Sequence, residues 1–407
     1  MPRLQSILFA LAVVALAALA EPANAQIAVR GETVHTMAGA PIKDGVVLIR
    51  DGKIERVGPA SQVQIPSGYR TVTAKVVTPG LVDAHSVVGL AGYLNQDHDQ
   101  DQLERSAAVQ PELRAVDGYN PREELVAYLR GFGVTTIHTG HGPGALVSGQ
   151  TMIVKTYGDS IDEALVVPTA MVAASLGQAG LGQAGKSPGT RPKSIAMLRA
   201  ELVKAQEYAA KMAGPADKRP GRDIKLEALG RLLNREVPIL VTVHRYYDIL
   251  AALRLAKEFN LRMVLDGASE AYLVVDEIKA AGVPVVVHAT MQRSNGDAEN
   301  LSMETASVLR KAGIPVALQS GFESYVPKTR VVLFEAGVAA ANGLTPEEAL
   351  ATITIDAARI LGVSDRVGSL EAGKDADVVL FDGDPLEFTS HVTAVVTGGT
   401  LVEQSPR

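Results

Sequence analysis

Two adjoining stretches decide how this chain folds: LTPEEALATITIDAARILGV (344–363) and GSLEAGKDADVVLFDGDP (368–385). The first reads as a capped amphipathic helix beginning near Thr345. The second abandons helical period for short β-prone runs separated by turn residues. The same β texture stands at the other end of the chain. There, GVVLIRDGKIERVG (45–58) places Asp51-Gly52 between two alternating runs, a strong short hairpin signal, and YRTVTAKVVTPG (69–80) follows. Two β-textured ends around a different middle most simply form one discontinuous module.

The middle alternates strands with helices. GVTTIHTG (133–140), VPILVTVH (237–244), LRMVLDG (261–267), VPVVVHAT (283–290) and IPVALQSG (314–321) are strand-like, and helical segments separate them. In NPREELVAYLRGFG (120–133), Asn120 is placed to cap, Pro121 fits the first turn, and Glu123 completes a capping box. Short β-branched runs spaced by helices mean parallel strands covered on both faces. This many repeats favour a (β/α)₈ TIM-like barrel over an open sheet. The expected fold is therefore α/β: a barrel over 79–360 and a β-sandwich combining 26–78 with 361–407. SLGQAGLGQAGKSPGTRPKS (175–194) interrupts the rhythm. It lacks a phosphate-loop register and shows no helix start behind it, so it reads as a mobile surface loop, with 211–222 a solvated connection.

Residues 1–25 carry Arg3, an unbroken apolar run from Ile7 to Ala20, and Ala23-Asn24-Ala25. That is the pattern of a secretory signal peptide too short to span a bilayer, and it predicts export to the periplasm or medium with a mature start at Gln26. The chain has no cysteine, which excludes disulfides, thiolate ligands and a cysteine nucleophile. A net charge of −6 argues against a nucleic-acid partner. A small-molecule substrate or ligand is the expected partner, with no organic cofactor and no stable membrane span after cleavage.

Five of the eight histidines, His85, His138, His141, His244 and His288, stand at or near predicted strand exits, where a barrel's loops build its active site. Imidazole is both a metal ligand and a base near neutral pH. Asp83, Asp266 and Glu323 are the strand-end carboxyl groups, with Asp266 and Glu323 the candidate proton acceptors. Lys155, in SGQTMIVKTYG, and Tyr246, just past His244, are candidate substrate contacts. His98 lies in the polar run NQDHDQDQLE, read as a solvated lid.

The chain resembles the amidohydrolase superfamily, in its imidazolonepropionase-like branch. The resemblance rests on VVTPGLVDAH, GVTTIHTG, ILVTVH, GIPVAL and the two stretches quoted first. It implies a metal-centred barrel beside a β-sandwich made from both chain ends, and hydrolysis of C–N bonds. His85 and His244 match two of the family's metal ligands. Val87 stands where the second histidine of the first strand is usual, Gly267 where the sixth-strand histidine is usual, and VALQSG replaces the end that carries the metal-binding aspartate.

Three readings follow. In the first, His138, His141 or His288 joins His85 and His244 to hold a zinc-like divalent metal, which needs about three protein ligands plus water. The second is a metal-free hydrolase using a His–carboxylate pair. The third is a catalytically silent barrel that binds a small molecule or a partner.

Overall fold

The computed structural model describes residues 26–403, apart from 95, 183–184, 291 and 323–330. Its N-terminal strands are β1 (Ile27–Val34), β2 (Ile42–Arg50), β3 (Lys53–Pro59) and β4 (Arg70–Pro79). The expected hairpin joins β2 to β3, with Asp51 at φ 51° and Gly52 at φ 71°. Positive φ at both central residues is the turn whose twist matches antiparallel strands.

The body supplies β5 (Leu81–Ser86), β6 (Val134–Thr139), β7 (Val147–Gln150), β8 (Met152–Lys155), β9 (Leu165–Val167), β10 (Val172–Ser175), β11 (Ile239–Val243), β12 (Met263–Gly267), β13 (Val285–Val287) and β14 (Val316–Leu318). The C-terminal strands are β15 (Val378–Phe381), β16 (Val392–Thr397) and β17 (Thr400–Glu403). β15 pairs antiparallel with β4, so both chain ends share one seven-stranded sheet in the order β17-β16-β15-β4-β1-β2-β3. Alternate residues bury both of its faces. Ile27, Val29, Val47 and Ile49 pack on one side; Ala28, Val46 and Leu48 pack on the other against Val63 and Tyr69.

The ladders of the body form two sheets, β14-β13-β12-β11-β10-β7 and β5-β6-β8-β9. β7 and β8 are one run of chain broken only at Thr151, so that run links the sheets. At their other edges β14 meets β5: Ser320 N–H donates to Asp83 Oδ1 (3.1 Å) and Gly321 N–H to the His85 carbonyl (3.4 Å). Val82, Ile153, Leu240, Val264, Val286 and Ala317, one from each of six strands, pack with Ala357 and Ala358 into a single buried cluster. This layer is the floor on which the site stands.

Three expectations need correction. The run Val147–Lys155 is antiparallel to both β6 and β10. Only residues 140–146 separate it from β6, too few for the crossover that a parallel pair requires. Second, the 175–222 stretch contains a helix, Arg191–Met212. Its start was present in the sequence: Thr190 accepts from Lys193 N–H (3.4 Å), and a proline opens the first turn. Third, the helix expected after Asn120 begins at Glu124. Asn120 caps a turn at Arg122 N–H instead (3.0 Å), and Glu123 is the N-cap. Near Thr345 the helix start holds, with a full capping box to Glu348, but the helix stops at Thr352 and a second runs Ile355–Ile360.

Candidate active site

Side chains two residues apart on a strand share a face. Stepping two residues beyond the apolar floor on β11, β12, β13 and β14 gives Thr242, Asp266, His288 and Gln319, all buried. Asp266 is the hub of this polar layer. Its Oδ1 accepts from His85 Nδ1–H (2.9 Å) and Gln319 Nε2 (2.8 Å), and its Oδ2 accepts from Thr242 Oγ1 (2.6 Å). Four strands, β5, β11, β12 and β14, thus contribute to or flank one carboxylate.

The charges of the pair support one another. Burial, the largest single influence, pushes the His85 pKa down, but the charge and hydrogen bond of Asp266 together with the charge of Asp83 raise it further than burial lowers it. Burial likewise pushes Asp266 up, and His85 with the hydrogen bonds from Thr242 and Gln319 hold it below the usual carboxylate range. Asp83 behaves differently. Burial dominates the hydrogen bonds from Ser320 and the His85 backbone, and its carboxyl is raised to about 6. Because His85 Nδ1 carries the proton toward Asp266, the chemistry of the ring rests on Nε2. That atom is buried and has no hydrogen-bond partner among the described residues.

The other histidines divide sharply. His138 is consumed structurally: Nδ1–H donates to the Ala84 carbonyl (2.8 Å), Nε2 accepts from Thr151 Oγ1 (2.7 Å), and burial lowers its pKa to about 3. His141 is buried over Gly149 with neither ring nitrogen hydrogen-bonded among the described residues, and burial lowers it to about 4. His288 donates from Nδ1 to the Ala289 carbonyl (3.0 Å), leaving a buried Nε2; burial lowers its pKa. His244 meets Ser269 Oγ through Nδ1 (2.8 Å), and burial lowers it too. Its ring lies over Gly267, where a Cβ would come 2.7 Å from His244 Cε1 and where φ is +75°. A histidine at 267 would therefore displace the histidine at 244.

Lys155 lies elsewhere. The reversed strand sets it opposite Thr136, near the start of β6, while Met152 pairs with Thr139 at the exit. Its buried ammonium is paired with Asp377 and with Asp375 (3.1 Å), both just before β15. Tyr246 opens the helix Tyr246–Phe259 with its ring exposed at the rim, and its N–H donates to Glu270 Oε2 (2.8 Å). Glu323 lies outside the described residues.

Reasoning from the sequence missed Thr242, Gln319 and the salt-linked rim. The first two were accessible from strand period alone. At the rim, Arg245 donates to Glu270 (2.9 Å) and Glu299 (2.6 Å), while Arg191 grips Asp248 (2.8 Å) and Asp297 (3.0 Å). These pairs tie together the loops leaving β10 to β13.

The donor set does not suit a shared metal ion. Among the described residues His85 presents an unpartnered Nε2 behind an engaged Nδ1, the orientation second-shell bonds give metal-binding imidazoles, whereas the His288 ring also interacts with the Ser302 backbone. But among the described residues no three His, Asp or Glu groups come close enough to hold one ion. Asp266 has both oxygens occupied, and Gln319 turns its amide N–H toward that carboxylate.

Comparison with known proteins bears directly on this frame. The amidohydrolase family pattern matches residues 305–402. The crystal structure of an amidohydrolase from Thermotoga maritima MSB8 superposes with a TM-score of 0.87 at 30% identity, covering 93% of this chain and 100% of that one. The chain belongs to the amidohydrolase family. An imidazolonepropionase of Brucella anthropi is 24% identical over 88% of this chain and 91% of its own, in keeping with the imidazolonepropionase-like branch. Amidohydrolase tasK of Hapsidospora irregularis is 25% identical over 89% of this chain, which spans only 40% of that protein's length. Within this family, Gly267 follows Asp266 and lies against the His244 ring, and Gln319 donates to Asp266.

Proposed function

We propose that this amidohydrolase is an exported, metal-independent hydrolase of C–N bonds in small non-peptide or dipeptide-like substrates, with His85 as general base and Asp266 as its positioning residue. The observation that carries the reading is the buried His85–Asp266 hydrogen bond, which leaves Nε2 without a partner among the described residues. A buried polar atom without a partner costs about 1–3 kcal/mol, a cost relieved when a water or substrate atom meets it. Family membership supports the reaction class. The shared floor of six strands, the linking run at Thr151 and the β14–β5 contacts support a closed eight-stranded barrel with the pair at its mouth. The signal-peptide pattern of residues 1–25 supports export.

In the reaction, His85 Nε2 takes a proton from water as the water oxygen bonds to the carbonyl carbon. The Asp266 carboxylate stabilises the imidazolium that forms. The C–N bond then breaks, and His85 returns the proton to the departing nitrogen, so that one water is consumed overall. Both Asp266 oxygens are already engaged, so Asp266 acts through His85 rather than on water itself.

Turnover is tested on a panel of amides, lactams and dipeptides, wild type against His85→Gln. Loss of about 10³-fold is expected in the variant, within the usual reach of a positioned base. A wild type that turns over none of the panel would favour the silent binding barrel. The pH profile follows from the pair. His85 must be neutral to accept a proton, and its pKa lies above the ordinary 6.5, so kcat/KM rises with pH through a value above 6.5. Stability moves the opposite way. The His85 contribution is complete below 6.5 and is lost as pH climbs through its raised folded value. The Asp266 contribution is complete above 3.8 and is lost as pH falls through its depressed folded value. Thermal unfolding across pH should therefore show these two groups together stabilising most between those limits, below the pH at which activity is greatest.

A further inference from the structure

Residues 178–182 and 186–188, in the glycine-rich loop after β10, border a cavity. Gly177–Gly180 makes one short turn anchored by Gln178 N–H on the Asp297 carboxylate, and Gly182 N–H closes the loop onto the Pro188 carbonyl (2.8 Å). Between this loop, the segment before β7 and the segment 105–108 lies a space of about 290 Å³. Among the described residues two cations line it, Arg105 and Lys186, and no acidic residue does. Neither cation has an ion pair among the described residues, although the chain as a whole carries net charge −6. The nearest acid in sequence, Glu104, does not line the space, although its carboxylate accepts from the N–H of the lining residue Ser106 (2.6 Å). The remaining wall is largely apolar, with Ala145, Leu146 and Leu181 facing the same space.

We propose that this cavity is a second ligand site, beside the mouth and separate from His85, for a small organic anion with an oxyanion head and a short apolar tail. A cleft lined by charges of one sign concentrates counter-ions, and a guanidinium presents paired donors to a planar or tetrahedral oxyanion. The volume is at the low end for small-molecule sites, which limits the tail to a few carbons. The backbone of the loop approaches closely because its glycines carry no Cβ. At Gly180 the Ser175 carbonyl already fills that place. The site does not depend on the hydrolase reading, because binding is measured without turnover.

Isothermal titration of the mature chain with butyrate, butyl phosphate and neutral butyramide tests it. One of the two anions is expected to bind at least about tenfold more tightly than butyramide, and the tighter anion names the head group. Arg105→Gln and Lys186→Gln should each weaken that binding about tenfold, equivalent to about 1.4 kcal/mol. Because both side chains are exposed, the unfolding temperature should not change. Ala107→Trp, on the exposed rim, should block the cavity and abolish binding. Equal binding of butyramide, wild-type affinity in both Gln variants, or no binding of either anion at millimolar concentration would overturn the assignment.

Discussion

Asp266→Asn is expected to lower kcat by about 10³-fold while leaving KM within a few-fold. An asparagine keeps an oxygen for His85 but removes the charge that stabilises the imidazolium formed during proton transfer; the equivalent loss in hydrolases with an oriented histidine is of this order or greater. The pH profile separates this role from a merely structural one. In the wild type, Asp266 with a smaller contribution from Asp83 outweighs burial and holds the His85 pKa above 6.5. Without the carboxylate, burial prevails, so the residual activity should rise with pH at a lower value than in the wild type. A variant that loses activity without that shift would make Asp266 a packing residue. The fold should survive, because His85 can neutralise where a fixed charge could not.

Lys155→Met carries the largest expected loss of stability, about 3–5 kcal/mol, the usual cost of leaving one member of a buried ion pair alone. Lys155 reaches from β8 to Asp377 and Asp375, and Thr397 Oγ1 donates to the far oxygen of Asp377 (3.1 Å). This clamp joins the seven-stranded sheet to the body. Removing the ammonium strands a buried Asp377 carboxylate with little beyond one hydroxyl. The double variant Lys155→Met/Asp377→Leu should recover much of the loss, since apolar residues of similar volume often replace a buried pair at little cost. Denaturant unfolding measures both. Turnover per folded molecule should be unchanged in either variant, because the clamp is at the end of β8 remote from the strand exits. A raised KM with unchanged stability would instead return Lys155 to the substrate.

Much of this arrangement is legible in the sequence. Asp51-Gly52 announces its hairpin because two consecutive positive φ values suit few other pairs. The histidines at strand exits announce the end of the body where chemistry collects. What could not be read was direction and distance. Nothing local in VSGQTMIVK says that this run is antiparallel, and the reversal alone moves Lys155 from the mouth to the far end. The helix over 191–212 was hidden by its glycine-rich approach, although Thr190 and Pro192 mark its start. Position at strand exits does not by itself rank the five histidines, and the family resemblance singles out only His85 and His244. Only contacts set by distant strands separate His138, with both nitrogens bound, from His85, with Nε2 left open. Gln319 is only one residue of the VALQSG end that lacks the family's aspartate. In the fold it is a donor that helps keep Asp266 ionised.

The most direct test is to measure metal content and turnover on the same sample, before and after exhaustive chelation. The account predicts C–N hydrolysis that persists undiminished in chelated protein, tracks no stoichiometric metal, and is lost in His85→Gln. One tightly held equivalent of a divalent metal, whose removal abolishes turnover and whose return restores it, would contradict a mechanism built on the His85–Asp266 pair.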